Sequence, residues 1–182
     1  NGFYLKDALS QKFNLNPDQL ILGNGSNDIL ELVARTFLSV DDEAIYSEHA
    51  FAVYPLVVKS VGAIGREIPA RNYQHDLDSF RAAITKKTKV IFIANPNNPT
   101  GTLIPKDQIQ DFLNNVPSNI IVVLDEAYDE YLDEENKSIA FGWLTTYKNL
   151  IISRSFSKAY GLAGLRVGFG AGCNTLIELM NR

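Results

Sequence analysis

The sequence predicts an α/β fold, a three-layer αβα sandwich on a mainly parallel seven-stranded sheet, and three observations carry that expectation. Lys89–Ala94 (KVIFIA), Ile120–Leu124 (IIVVL) and Leu150–Ser153 (LIIS) are apolar almost throughout, the character of strands buried on both faces of a parallel sheet. Stretches of helical period separate them, so strands and helices alternate along the chain. Each run opens at its carboxyl end into a polar stretch, NPNNPTG, DEAYDEY and SRSFSKAY in turn, and ligand sites collect at that end of an open α/β sheet.

The first element is an amphipathic helix within NGFYLKDALSQKF. Asn16-Pro17-Asp18 reads as a turn and Gln19–Leu22 as a short strand. Gly23 and Gly25 then make a tight turn into a helix capped by Ser26 or Asn27, with Ile29, Leu30, Val33 and Phe37 on its apolar face. Such a turn suits an anion, because unpaired N–H groups and the helix dipole meet there; a purely structural turn and cap explains the same residues. The third glycine of a dinucleotide fingerprint and the Gly-Lys-Ser/Thr ending of a P-loop are both missing.

Glu43–Glu48 and Ile64–Ile68 are strands on either side of a helix at Phe51–Val61. His49 and Phe51 follow a strand end, where His49 is expected to serve only loop packing. Helices are predicted at Leu77–Ile84, at Pro105–Asn114 with proline opening it, and around Ser138–Tyr147. Arg166–Gly170 supplies the seventh strand, and Leu176–Arg182 lies inside a last helical pattern. The acidic run DEAYDEYLDEE raises the question of a metal, but it reads as a solvated, charged loop and no metal is expected.

At 182 residues the chain can bury one full core rather than two. Its 46% hydrophobic and 21% charged residues are those of a soluble globular protein. A net charge of −4 and a pI near 5.2 argue against nucleic acid or an anionic membrane as partner. No apolar run reaches the roughly 18 residues of a membrane helix, and the N-terminus has no signal-peptide block. The single cysteine, Cys173, excludes an internal disulfide and makes the cytoplasm the default compartment. Both ends fall inside helical patterns with no polar tail, so a piece of a longer protein is expected.

Chemistry concentrates in SRSFSKAYGLAGLRVGFGAG, Ser153–Gly172. Lys158 is preceded by Ser155 and Ser157 and followed by Arg166 in a run rich in glycine and alanine. An amine nucleophile, hydroxyl donors and a fixed cation suit a phosphorylated aldehyde cofactor: the amine forms an imine, and the hydroxyls and guanidinium hold the phosphate. Taken alone, the stretch reads equally as a loop lysine in a small-residue linker. Asp125, at the tip of an apolar strand, is costly to bury without a cationic partner. Asn98, Asp125 with Tyr128, and Lys158 follow three successive strand ends and so share one edge of the sheet.

NPNNPTG, DEAYDEY and SFSKAYGLAGLRVGF, in that order and at these spacings, resemble the large domain of fold-type I aminotransferases, which use pyridoxal 5′-phosphate. Within that family the GNGSND turn is most similar to the histidinol-phosphate aminotransferase branch, and the likeness covers nearly the whole chain. The resemblance implies that Lys158 binds the cofactor aldehyde and shuttles the proton at the substrate α-carbon, a task for an amine less basic than the pKa of about 10.4 of free lysine. It implies that Asp125 pairs with the pyridinium nitrogen so that the ring draws in electrons, that Asn98 and Tyr128 bond the ring 3′ oxygen, and that Phe51 stacks on the ring, where many relatives have tyrosine. The phosphate is implied to lie on the backbone N–H groups of Ser26 and Asn27 and on Ser155, Ser157 and Arg166. The last strand is implied to run antiparallel to the rest.

By the same resemblance residues 1–182 are the cofactor-binding large domain, inactive alone, with the N-terminal arm and the C-terminal small domain outside them. The activity implied is histidinol-phosphate:2-oxoglutarate amino-group transfer in histidine biosynthesis, by a cytoplasmic homodimer acting on small amino and keto acids. An aromatic or broad-specificity aminotransferase, a lyase or decarboxylase on the same fold, and a non-catalytic cofactor-binding or structural domain are the alternatives.

Overall fold

Alternate residues of the central strands face two separate cores. In the computed structural model, which describes residues 2–182, Ile91, Ile93, Val122, Leu124 and Ile152 pack on one side of the sheet, and Val90, Phe92, Val123 and Ile151 on the other. The two-residue period of a strand turns one apolar run into two buried faces. Helices α1 (Phe3–Phe13), α4 (Leu77–Ala82), α5 (Lys106–Asn115) and α6 (Ala140–Trp143) cover the first face. Helices α2 (Ser26–Phe37), α3 (Val53–Ser60) and α7 (Asn174–Met180) cover the second. The predicted three-layer αβα sandwich is the fold observed.

The strands are β1 (Leu20–Gly23), β2 (Glu43–Ser47), β3 (Ile64–Ile68), β4 (Thr88–Ala94), β5 (Ile121–Asp125), β6 (Leu150–Ser155) and β7 (Gly168–Gly172). They form one seven-stranded sheet in the order β1-β7-β6-β5-β4-β2-β3. β7 is antiparallel to β1 and β6, and the remaining pairs are parallel. Registers Ala94↔Asp125 and Asp125↔Ser153 bring the carboxyl ends of β4, β5 and β6 level, so the loops leaving them meet.

Four sequence expectations are corrected. Ser26 and Asn27 do not cap α2: Gly25, at φ 86°, holds the cap position with no side-chain bond, and Ser26 already opens the helix. Glycine is required there by the backbone, since φ 86° with ψ 170° is strained for any side chain; a Cβ would also displace Arg166 Nη2, which lies 2.2 Å from its position. The seventh strand is Gly168–Gly172 rather than Arg166–Gly170, since Arg166 adopts a left-handed φ of 52° after a 3-10 turn at Ala163–Leu165. A Cβ on Gly168 would come 2.4 Å from the Ser26 amide nitrogen, so this glycine lets β7 run against the start of α2. The helix around Ser138–Tyr147 shrinks to one turn, Ala140–Trp143, in a stretch where Gly142, Thr145 and Thr146 are poor helix formers. Finally, β5 extends to Asp125, which places the carboxylate inside the ladder rather than beyond it.

Candidate active site

The tips of β4, β5 and β6 and the start of α2 enclose an open cleft of about 230 Å³. Ser26, Asn27, Phe51, Asn98, Asp125, Tyr128, Ser155, Ser157, Lys158 and Arg166 all line it. The residues singled out in the sequence therefore meet in one place. His49 does not line the cleft; it packs against Tyr73, ring centres 5.4 Å apart, and its carbonyl accepts from Asn97 Nδ2 at 2.7 Å.

Asp125 forms the buried end of the cleft. Tyr54 Oη donates to its Oδ2 at 2.9 Å, whereas Oδ1 is equally buried and has no partner. Burial pushes the carboxyl up to about 6, against the pull of the Tyr54 hydroxyl, the Ala127 N–H and the Lys158 charge. No ion pair reaches it among the described residues. Tyr54 escaped the sequence reading because an aromatic on the apolar face of a helix reads as core. Its one signal is its place three residues after Phe51, on one face of the helix expected at Phe51–Val61, although the helix itself begins at Val53.

Lys158 is exposed on the loop after β6, and its Nζ stands 5.3 Å from the centre of the Tyr128 ring. Lys158 is a loop lysine, and its loop brings it to the lining of the cleft.

At the other end, donors converge. The first turn of the twelve-residue helix α2 presents the N–H groups of Ser26 and Asn27. Arg166 Nη1 donates to Ser157 Oγ at 3.1 Å and to the Ala163 carbonyl at 3.0 Å, and Nη2 reaches the Asn24 carbonyl at 3.4 Å. Ser155 Oγ accepts from the Ser157 N–H at 3.1 Å. The guanidinium is thus fixed across the helix start, which makes a cradle for a divalent anion.

The acidic run is only partly a solvated loop, a further correction. Glu126 and Asp129 are buried and meet the buried Arg154 of β6: Nη2–Oε2 of Glu126 is 2.7 Å, Nη1–Oδ2 of Asp129 3.0 Å, and Nη1–Oε1 of Glu130 3.1 Å. Glu126 and Arg154 project to the face of the sheet opposite Asp125. No group of three His, Cys, Asp or Glu side chains with metal-binding geometry occurs among the described residues.

A half-partnered buried carboxylate, a lysine and an anion cradle at the strand tips of an α/β sheet suit a small ligand that is anionic at one end and a hydrogen-bond donor at the other. The chain belongs to the aminotransferase class I and II family, whose pattern matches residues 4–182. Over all 182 residues it is 61% identical to the histidinol-phosphate aminotransferase of Methylobacillus flagellatus, covering 49% of that protein. It is 57% identical to histidinol-phosphate aminotransferase 2 of Nitrosospira multiformis, covering 46%. The crystal structure of histidinol-phosphate aminotransferase from Sinorhizobium meliloti, in complex with pyridoxal 5′-phosphate, superposes with a TM-score of 0.92 at 26% identity, over 99% of this chain and 49% of that one. Aspartate aminotransferase of Thermus thermophilus gives 0.88 at 26% identity, over 97% and 48%. The chain spans about half the length of these relatives.

Proposed function

We propose that residues 1–182 are the cofactor-binding large domain of a pyridoxal 5′-phosphate-dependent aminotransferase that exchanges the amino group of histidinol phosphate with 2-oxoglutarate. The observation that carries the cofactor is Asp125: a fully buried carboxylate with one unpartnered oxygen, across a cleft from an anion cradle. The 61% identity to a histidinol-phosphate aminotransferase supports the substrate. Bound here, the cofactor supplies an electron sink that makes the substrate α-carbon acidic.

The chain's own groups divide the remaining work. Asp125 Oδ1 accepts from the ring nitrogen and keeps it protonated. Asn98 and Tyr128 bond the ring 3′ oxygen, and Phe51 covers a ring face. The Ser26 and Asn27 N–H groups, Ser155, Ser157 and Arg166 hold the phosphate. Lys158 would hold the cofactor through its aldehyde, with loss of water, and its Nζ would take and return the proton at the substrate α-carbon. Tyr160, Leu162 and Leu165, exposed on the loop that carries Lys158, support a second copy of the chain as partner. The single cysteine supports a cytoplasmic setting; no helix among the described residues is long and apolar enough to cross a membrane.

The test is borohydride reduction of the intact protein loaded with pyridoxal 5′-phosphate, followed by peptide mass mapping. The pyridoxyl mass is expected on the peptide holding Lys158. Its appearance on another lysine, or on none, overturns the reading. Faster turnover with phenylalanine than with histidinol phosphate would move the enzyme to the aromatic branch.

A further inference from the structure

Tyr54 touches Asp125 and Phe51, two of the side chains that line the cleft. It is wholly buried on α3, and its hydroxyl is the side-chain donor to Asp125, at 2.9 Å from Oδ2. Its ring stacks on Phe92, centres 5.0 Å apart and planes 11° apart, and meets Phe51 edge-on at 6.0 Å and 89°. The ring is therefore held on both sides, and it holds the hydroxyl in place.

A carboxylate with neither oxygen fixed turns about its Cβ–Cγ bond and presents either oxygen in many directions. With Oδ2 anchored, Oδ1 is left for the cleft, and among the described residues it has no hydrogen-bond partner, the Ala127 N–H acting on the carboxylate only weakly. The anchor must also stay a donor. Burial, and then the adjacent Asp125 charge, hold the Tyr54 hydroxyl well above its ordinary value near 10, so it keeps its proton throughout the neutral range. The charged and titratable side chains facing Asp125 are Tyr54 from α3 and Lys158 from the loop after β6. Of these, only Tyr54 makes a direct bond.

We propose, resting on the cofactor reading above, that Tyr54 is a positioning residue that aims Asp125 Oδ1 at the cofactor ring nitrogen and acts through Asp125. The Tyr54→Phe variant tests this cleanly, because it removes one oxygen and keeps both ring contacts. In the intact protein, pyridoxal 5′-phosphate affinity and the visible absorbance band of the bound cofactor are measured for wild type, Tyr54→Phe, Asp125→Asn and the double variant. Tyr54→Phe is expected to weaken affinity about tenfold where Asp125 is present and less than about twofold in the Asp125→Asn background. It is also expected to move the absorbance band in the direction that Asp125→Asn moves it. The double variant carries no buried carboxylate at this position, so it is folded if the packing alone is intact. Equal losses in both backgrounds, or an unchanged affinity for Tyr54→Phe while Asp125→Asn alone weakens binding, overturn the role of Tyr54 and leave the cofactor reading standing. An Asp125→Asn variant that binds as wild type overturns the role of Tyr54 together with that of Asp125, and wild-type protein that does not bind the cofactor overturns the cofactor reading as well.

Discussion

Asp125 and Glu126 are neighbours in sequence, both buried at the end of β5, and the chain treats them in opposite ways. Glu126 is supplied with a cation: Arg154 contacts it through Nη2 at 2.7 Å and Nε at 2.9 Å, and also holds Asp129 and Glu130 while lying over the Phe141 ring at 5.2 Å. Asp125 receives the Tyr54 hydroxyl and a weaker pull from the Ala127 N–H, and its Oδ1 is left without a hydrogen-bond partner among the described residues. Burial raises both, Asp125 to about 6 and Glu126 to about 7, although the guanidinium pulls Glu126 back. Glu126 stays high because burial outweighs the pull of Arg154 and of the Ser138 hydroxyl, and the nearby Asp129 charge adds a smaller push in the same direction. Among the described residues, one face of the strand tips thus carries a charge cluster with its own cation, in which only Glu130 Oε2 lacks a partner, and the other carries a charge site to which the fold supplies no cation in direct contact. A buried, half-partnered carboxylate destabilises a protein, and violations of this kind are expected where a ligand completes the set.

The sharpest way to break the contrast is to neutralise the open side. Asp125→Asn in the intact enzyme is expected to lower turnover by about a thousandfold or more, the scale of losing a preorganised charge contact in a dry site. The melting temperature of the cofactor-free protein should not fall, because the change removes a buried charge. Turnover near wild type would make Asp125 a structural residue like Glu126.

The two sides were not equally legible in the sequence. The apolar runs of β4, β5 and β6 marked the sheet, and polar residues directly after them marked the cleft, because both signals are local. Arg154 gave no such signal: inside SRS it looks like a polar strand end, and its partners are set by the pairing of β5 with β6. Glu126 and Asp129 were assigned to a solvated loop for the same reason. Tyr54 was hidden by its own packing, since a stacked core aromatic and a hydroxyl donor are the same residue. Arg166 was read as strand because the left-handed turn before β7 depends on contact with Gly25 and the start of α2, which lie far away in sequence.

The closed side is tested by removing its cation. Arg154→Met keeps a side chain of similar reach and leaves Glu126, Asp129 and Glu130 facing one another without a counter-charge. Denaturant unfolding of the cofactor-free intact protein is expected to show a loss of about 3–5 kcal/mol, the range for breaking one partner of a buried ion pair. A loss below about 1 kcal/mol would show that the cluster is hydrated enough to behave as a surface pair, and the two sides would then differ less than their geometry indicates.

The smallest expected effect separates the sides by pH. The Asp125 carboxyl goes from an ordinary value of 3.8 to about 6 in the fold. A raised value means that the folded state holds its proton more tightly than the unfolded chain does, so its contribution is fully present below about pH 4 and is lost as pH rises through 6. At 1.36 kcal/mol per unit, the loss approaches roughly 3 kcal/mol at neutral pH. Glu126 works in the same direction, but it is present in both proteins when wild type is compared with Asp125→Asn, so it cancels from the difference. Unfolding free energies of the two cofactor-free proteins, measured from pH 4.5 to 7.5, are therefore expected to diverge, with the wild type losing ground to the variant as pH rises. Saturation with pyridoxal 5′-phosphate should flatten or reverse that divergence in the wild type, because a ring cation at Oδ1 favours the ionised carboxylate. A difference that stays flat without the cofactor would mean that the Asp125 carboxyl titrates in the fold as it does in the unfolded chain, and the open side of the strand tips would not be open.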